Sequence, residues 1–422
     1  MAALLFALVF LIAATGHAQA GFLIPAIVAA IGLTGVAASV ATFIGTVALS
    51  VGISWAASKL MPKPDQAKAA GGVELDIRID AELPQSLLVG RAVTAGSLIY
   101  AETYGKREEI DNSDMIEVIS IADHPCEGLV KVFVAEKEAT LTPAGSGIPG
   151  QWWGPLAQSR GDTVNGYNNK LAIKFYDGSQ TTADPFAVAA VGNHPERPWT
   201  SAFIGRGTTY ARVHSIYGAT LVPGPMRWRF VVDGIRLYDP RKDTTVGGSG
   251  SHRFGTLSTH EFTANLAVIA YNILRGIRVL DVNGVAQHFY GLEGTAAANL
   301  PLDNWFAAMN ECDATVDGEP QFHGGAEISV DTEPLEAIRQ MLSAMDGRLT
   351  EIGGVYKLYV GVPGVPVFAI DDDVIRANEG DEFRPIMPLE QRVNHVTGSY
   401  TSPEDGWIPK VAPSRRVIEW EE

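Results

Sequence analysis

The sequence predicts an α+β protein that is mainly β and is divided into several domains. Apolar and polar residues alternate with a period of two at 73–79 and again at 228–232, as in strands with one buried face. Clusters of Gly, Pro and Asn separate such segments from one another. Helical spacing of apolar residues occurs at only a few places, so strands are expected to dominate. The other predicted strands of the first half are 87–100, 115–121, 129–135 and 170–175.

Length and composition agree with a multi-domain protein. A chain of 422 residues has room for roughly two to four domains, and its 46% hydrophobic content is ordinary for buried cores. The patterns divide it into an apolar N-terminal helical segment (1–60), a Pro- and Gly-containing linker (61–72) and a β-rich part (73–240). A loop and helical segment (241–315), a small β-α-β-β module (316–370) and C-terminal return strands (371–422) complete the chain.

The net charge of -16 argues against a nucleic-acid-binding surface, since neutralising phosphates requires clustered Lys and Arg. An acidic wall repels DNA and suits a conduit through which DNA slides, while a solvated acidic surface is the simpler interpretation. Cys126 and Cys312 lie in unrelated contexts and indicate no disulfide framework, so both are expected to be reduced.

The N-terminal segment carries no Asp, Glu, Lys or Arg before Lys59, which is more than twice the ~20 residues that span a bilayer as a helix. Within it, small residues at alternating spacings of three and four form a seam that lets neighbouring helices approach closely. A generic transmembrane helix is the alternative interpretation of the same segment. The small-x-small pattern at 18–20 resembles a signal-peptide cleavage site, although no basic residue precedes it. The proposed seam comprises Ala38, Ala41, Gly45, Ala48 and Gly52.

A central hairpin is predicted around Asp233-Gly234. The alternating residues 228–232 form its first strand, residues 235–238 its returning strand, and the pair between them a two-residue turn with positive φ. The polar, Gly-rich residues 241–251 that follow are predicted to be an exposed loop.

Three helices are predicted in the second half. The first spans 264–275. The second is capped by Asp303 and has apolar positions at i, i+3, i+4 and i+7, which places Cys312 in the core. The third starts at 331 or 332 with Pro334 in its first turn and ends at Gly347. It lies between a strand at 327–330 and a hairpin that turns at Gly353-Gly354, which predicts a β-α-β-β module.

Motifs for catalysis, cofactors and metals fail on spacing or context. Residues 205–210 lack the third glycine of a dinucleotide fingerprint, residues 371–376 lack the turn glycine of a calcium loop, and residues 247–251 lack the second glycine of a nucleophile elbow. His252, His260 and Glu261 have no common metal-site spacing and are predicted to be solvated loop residues; His124 and Cys126 are predicted to be structural. The sequence therefore predicts no catalytic residues, cofactor or metal.

Four segments in order resemble a known family. They are residues 177–212, 226–255, 300–313 and 347–360, of which WRFVVDGIRLYDPRKDTTVGGSGSHRFG is the clearest. Together they resemble the hub region of siphophage tail tip attachment proteins, the lambda-like central tail protein family, which is also found in gene transfer agents. The resemblance covers residues 72–407.

This resemblance implies a structural, non-enzymatic virion protein with tube-like β domains that closes the tail tube. Family members form homotrimers that join the distal tail protein ring to a downstream tail fibre or receptor-binding protein. DNA passes through the lumen without specific binding, and the apolar N-terminus meets the tape measure protein and is available to the host membrane. Receptor recognition is expected on another chain or beyond residue 422. The alternative hypothesis is a membrane-anchored or secreted β-rich binding protein.

Overall fold

A computed structural model describes residues 84–107, 110–144, 160–216, 226–361, 368, 395–403, 407–412 and 415–416. The predicted N-terminal helix and its seam, the linker and the strand at 73–79 lie outside the described residues, as does the acidic stretch at 371–373. The described part is mainly β with four α-helices, in agreement with the predicted α+β, mainly β class.

The first half of the described chain forms two antiparallel sheets. A six-stranded sheet has the order β3-β4-β10-β9-β8-β7, and a four-stranded sheet has the order β2-β11-β5-β6. Their strands are β2 (Arg91–Thr94), β3 (Ser97–Arg107), β4 (Ile110–Ala122), β5 (Gly128–Val134), β6 (Lys137–Glu138), β7 (Leu141–Thr142), β8 (Asp162–Val164), β9 (Leu171–Tyr176), β10 (Thr209–Ile216) and β11 (Trp228–Asp233).

Residues 87–100 are three strands rather than one. β1 (Ser86–Val89), β2 and β3 are separated at Gly90 and Gly96, which have φ of 58° and 70°. These left-handed conformations turn the chain and are readily accessible only to glycine. The three strands consequently belong to three different sheets.

The second half carries three of the four helices, after α1 (Pro185–Val191) in the first half. They are α2 (Leu266–Arg275), α3 (Leu302–Cys312) and α4 (Pro334–Ala344). Two-stranded ribbons accompany them: β12 (Ile277–Leu280) with β13 (Ala286–Tyr290), β14 (Thr315–Val316) with β15 (Glu319–Pro320), and β17 (Arg348–Ile352) with β18 (Val355–Tyr359). The remaining strands are β16 (Ala326–Ser329), β19 (His395–Val396), β20 (Ser399–Ser402), β21 (Ile408–Val411) and β22 (Arg415–Arg416).

The central hairpin prediction is wrong. β11 lies between β2 and β5, where Asp233 is opposite Arg91 on one side and Gly128 on the other. The chain then leaves the sheet, and the Ile235 N–H donates to the Leu88 carbonyl. Gly234 does not have positive φ. Glycine is required there because a Cβ would lie 2.2 Å from the Leu88 carbonyl oxygen.

The predicted β-α-β-β module is only partly correct. Its strand, helix and hairpin are present, and Gly353 and Gly354 form the turn with φ of 61° and 81°. However, β16 does not join β17 and β18; it pairs with β1, from Ser86 opposite Ser329 to Val89 opposite Ala326. The module is therefore connected to the beginning of the described chain, a long-range pairing that local patterns do not reveal.

The two halves have separate apolar cores. One core lies between the two large sheets and includes Ile119, Val213, Trp228 and Phe230. The other surrounds α2, whose residues 266–274 are all buried. Trp305, Ala308, Met309 and Cys312 of α3 join this second core, which confirms the predicted buried face. α3 begins at Leu302 with Pro301 at its N-cap, so Asp303 lies in the first turn and not at the cap.

Candidate functional site

A buried ionic cluster, here called the sheet cluster, joins α1 to the six-stranded sheet. Asp184 caps α1 by accepting the Ala187 N–H at 2.7 Å, and its Oδ2 lies 3.0 Å from Nε of Arg212 on β10. Both side chains are buried. Asp114 on β4 accepts from His214 Nε2 at 2.9 Å and from Arg107 Nε at 2.7 Å. The sheet cluster therefore connects β3, β4, β10 and α1 through charged hydrogen bonds.

The protonation of the sheet cluster follows from its contacts. His214 donates from Nε2 to Asp114, and its Nδ1 accepts from Arg160 Nε at 2.8 Å, so the ring is neutral. Burial lowers the pKa of His214 to about 3, outweighing the hydrogen bond to Asp114. Burial alone would raise the pKa of Asp114, but the hydrogen bonds from His214 and Arg107 hold it well below its ordinary range. Neither nitrogen of His214 is left to accept a proton from a substrate.

A second polar cluster, the loop cluster, organises residues 239–253. Buried Asp243 accepts at Oδ2 from the Tyr238 hydroxyl at 2.8 Å, and at Oδ1 from the Thr245 N–H and from Arg253 Nη1. Burial opposes ionisation, yet the hydrogen bonds from Thr245 and Tyr238 and the charge of Arg253 lower the pKa of Asp243. One buried carboxylate thus connects Tyr238, Thr245 and Arg253 across the loop.

The prediction that His252 is a solvated loop residue is wrong. Its side chain is buried, and Nδ1 accepts the Asp239 N–H at 3.1 Å. Burial lowers its pKa, so the ring is neutral at pH 7. Its Nε2 lies 3.7 Å from Oε2 of exposed Glu261. Across the described ranges, no three His, Cys, Asp or Glu side chains are grouped to hold a metal ion.

Arg241 connects the loop cluster to α3. Its Nη2 lies 2.7 Å from Oδ2 of Asp239, while Nη1 lies 2.8 Å from Oδ2 of Asp313 and 2.9 Å from Oδ1 of Asn310. Asp313 also accepts from His323 Nε2 at 2.6 Å. The end of α3 is therefore fixed to the loop that follows the four-stranded sheet.

α3 is joined in turn to the β17–β18 ribbon. The side chain of Asn304 hydrogen-bonds both main-chain groups of Leu358, donating at 2.9 Å and accepting at 2.8 Å. Trp305 Nε1 donates to the Tyr356 carbonyl at 3.0 Å. The side chains of α3 thus satisfy main-chain groups on the edge of β18, as a neighbouring strand would, and they orient the ribbon on the helical core.

His124 is buried and has a structural role, as predicted. Its Nε2 accepts the Leu88 N–H at 2.8 Å, so Nδ1 carries the proton towards the Pro125 carbonyl. Burial lowers the pKa of His124 to about 4 and raises that of neighbouring Cys126 to about 12. A neutral thiol with such a pKa is a poor nucleophile. His124, His214 and His252 all use ring nitrogens to satisfy buried partners, which is a scaffolding role.

Of the residues singled out from the sequence as the seam and the turn, Asp233 and Gly234 lie within the described ranges. The seam from Ala38 to Gly52 lies outside the described residues. Asp233 is the last residue of β11, and Gly234 packs closely against the Leu88 main chain. In the ranges that the structure describes, no helix is both long and apolar enough to cross a membrane.

Two buried asparagines were missed from the sequence. Asn265 caps α2 by accepting the Val268 N–H and donates to the Met309 carbonyl of α3 at 2.8 Å. Asn272 donates to the Tyr238 carbonyl and accepts the Tyr238 N–H, which ties α2 to the chain leaving the four-stranded sheet. An Asn directly before an apolar periodic segment indicates an N-cap and could have identified Asn265. Asn272, in the middle of a helix, has no such local indication.

Comparisons with known proteins give a distant likeness among solved structures. No protein-family model and no curated protein matches the chain. Among solved structures, the chain is similar to one from "Virion of native gene transfer agent (GTA) particle", with 13% identity and a TM-score of 0.42. The similarity covers 89% of this chain and 76% of that chain. A TM-score of 0.42 is too low to establish a shared fold.

Proposed function

We propose that this protein is a structural component of a phage-tail-like particle, a trimeric hub at the tail tip that closes the tail tube. The hub connects the distal tail protein ring to downstream fibre or receptor-binding parts. It surrounds the path of the DNA, and its apolar N-terminal segment contacts the tape measure protein before entering the host membrane. The protein is not an enzyme in this proposal.

The observation that carries the proposal is the contact between the four segments that resemble hub proteins. Residues 226–255 bind residues 300–313 through Arg241 and Asp313, at 2.8 Å. Residues 300–313 bind residues 347–360 through Asn304 and Leu358. Segments that lie far apart in the sequence thus form one continuous unit, as expected if they were inherited together.

The first segment, residues 177–212, joins the same unit through residues 126 and 127. The Cys126 N–H donates to the Asp177 carbonyl at 2.9 Å, and the Glu127 N–H lies 2.9 Å from the Asp233 carbonyl. Arg236, just after β11, pairs with Glu127. The turn at residues 126 and 127 therefore connects the first segment to the second.

The buried polar groups also favour a structural role over catalysis. The sheet cluster and the loop cluster use their carboxylates and ring nitrogens to connect strands, helices and loops. Networks of this kind rigidify a scaffold when their members are satisfied. The net charge of -16 suits a conduit that DNA must traverse without binding.

Labelling the assembled particle tests the proposal. Antibodies against the full chain, carried on gold, are expected at one tail end in negative-stain images, and cryo-electron microscopy is expected to show threefold symmetry there. The competing hypothesis, a membrane-anchored or secreted binding protein, predicts label in the producing cell's envelope and none on particles. A single copy or a twofold-symmetric arrangement of this protein in the particle would contradict the hub proposal.

A further inference from the structure

The tip of the β12–β13 ribbon exposes an unusual concentration of aliphatic side chains. Leu280, Val282 and Val285 are 50%, 70% and 53% exposed within six consecutive residues. Scattered exposed hydrophobic residues are normal, but grouped ones mark contact surfaces. We call this group the apolar tip.

The apolar tip is rigid. Asp281 Oδ1 accepts the N–H groups of Asn283 and Val285 at 2.8 and 2.9 Å, which closes the turn. At the base of the ribbon, Tyr290 is buried and donates its hydroxyl to the Thr332 carbonyl at 3.0 Å. A preorganised tip loses little entropy when it binds a partner.

Basic side chains surround the apolar tip. Arg278 and His288 are exposed and lie opposite each other in the ribbon, just below Leu280. Exposed Arg206 reaches the ribbon from a neighbouring loop, with Nη1 3.4 Å from the Val282 carbonyl. No ion pair joins Arg206, Arg278 or His288 to a carboxylate within the described part of the chain. This basic collar fits an acidic partner.

The chain itself provides such an acidic surface. Residues 290–357 contain 12 Asp and Glu but three Lys and Arg, whereas residues 84–289 contain 19 of each. The β14–β15 hairpin presents exposed Val316 beside exposed Asp317 and Glu319, which form no ion pair within the described ranges. It therefore combines an aliphatic side chain with negative charge, the complement of the apolar tip and its collar.

We infer that the apolar tip of one copy docks on the acidic surface of residues 290–357 of a second copy, around the β14–β15 hairpin. Tip and hairpin are different surfaces, so the contact is head-to-tail and generates a closed ring when the rotation permits. This inference rests on the proposed trimeric hub and supplies one of its subunit interfaces. An anionic membrane is a less suitable partner, because the chain's charge of -16 opposes its approach.

Photo-crosslinking from the tip tests the docking. A benzophenone amino acid replaces Val282 in the full chain, both in assembled particles and in detergent. Adducts to residues 290–357 of another copy are expected, mapped by mass spectrometry. The same probe at Val246, exposed on the loop cluster, is the matched control and is expected to leave that region unlabelled. Adducts from position 282 to lipid, to another protein or to residues outside 290–357 would overturn the inference.

Two substitutions measure the strength of the contact. Val282→Asp and Arg278→Glu are each expected to weaken trimerisation roughly tenfold or more, as for central interface residues, while Val246→Asp leaves it unchanged. Native mass spectrometry of the full chain gives the trimer fraction, and circular dichroism checks that each variant is folded. An unchanged trimer in both variants would overturn the tip contact and leave the hub proposal standing. A wild-type chain that is monomeric in the particle would remove the hub proposal, and this inference with it.

Discussion

The β-rich region and the helical region of this protein differ in where their charged side chains lie. The β-rich region, within residues 84–240, buries an ion pair, Arg212 with Asp184, next to its strands. The helical region, residues 266–360, has an apolar core around α2 and leaves most of its acidic side chains on the surface. The comparison teaches that one chain can combine an apolar core with buried charged pairs in one half, and an apolar core with charges kept at the surface in the other.

The largest expected effect comes from breaking the buried pair of the sheet cluster. Arg212→Met leaves Asp184 without its guanidinium and is expected to destabilise the protein by about 3–5 kcal/mol. Urea unfolding followed by circular dichroism measures the change. Arg339→Met, which removes the exposed pair with Glu336 on α4, is the matched control and is expected to change stability by less than about 0.5 kcal/mol. Similar losses in both variants would show that burial does not distinguish the two regions.

Glu117 gives the β-rich region a pH dependence of its own. Burial raises the pKa of this carboxyl to about 7, so the folded protein keeps a proton that the unfolded chain releases at lower pH. Its contribution to stability is complete below the unfolded pKa of about 4.5 and is lost as the pH rises through 7.

Glu117→Gln is therefore expected to stabilise the protein at pH 8 by up to about 3 kcal/mol relative to its effect at pH 4. Urea unfolding at pH 4, 6 and 8 measures this difference. Exposed Glu138, which pairs with Lys131 at 3.1 Å, provides the control variant Glu138→Gln, which removes a carboxyl from the surface instead of the interior. A pH-independent effect of Glu117→Gln would mean that folding does not raise the pKa of this carboxyl.

Gly234 lies at the junction of the two regions. Gly234→Ala places a methyl group against the Leu88 carbonyl and is expected to cost about 1–3 kcal/mol through displaced backbone. Gly128→Ala is the control, because a Cβ at Gly128, opposite Asp233 in the same sheet, meets no atom within 4 Å. Equal stability of Gly234→Ala and wild type in thermal unfolding would contradict the close approach.

The smallest expected effect on stability concerns α3. It distinguishes the effect of a charge's position on the helix from the effect of the region's net negative charge. Glu311 lies in the last turn of α3 and Asp303 in the first. Glu311→Lys is expected to stabilise by about 0.3–1 kcal/mol, and Asp303→Lys to destabilise by a similar amount, because the helix dipole favours cations only at the C-terminus. Thermal unfolding at low salt measures both. Stabilisation by both variants would show that the overall negative charge dominates.

Local patterns were sufficient for several elements of the fold. The buried face of α3, the strands at 115–121 and 170–175, and the Gly353-Gly354 turn are all where the periodicity and turn residues placed them. These features depend on neighbouring residues in the sequence, which is why they could be predicted. The prediction of a hairpin at Asp233-Gly234 failed because such a pair is also found where a chain leaves a sheet without returning to it.

By itself, the sequence determined the mainly β class, the helices and their apolar faces, and the acidic balance of the chain, because periodicity and composition are local properties. Only the tertiary structure decided that β16 pairs with β1, that Gly234 meets Leu88 and that His252 is buried. It also decided which charges were paired. Asp184 pairs with Arg212 in the β-rich region, whereas Arg278 forms no ion pair with a carboxylate within the described ranges. Such pairings join residues from distant parts of the chain, and their energies depend on burial, which exists only once the chain has folded.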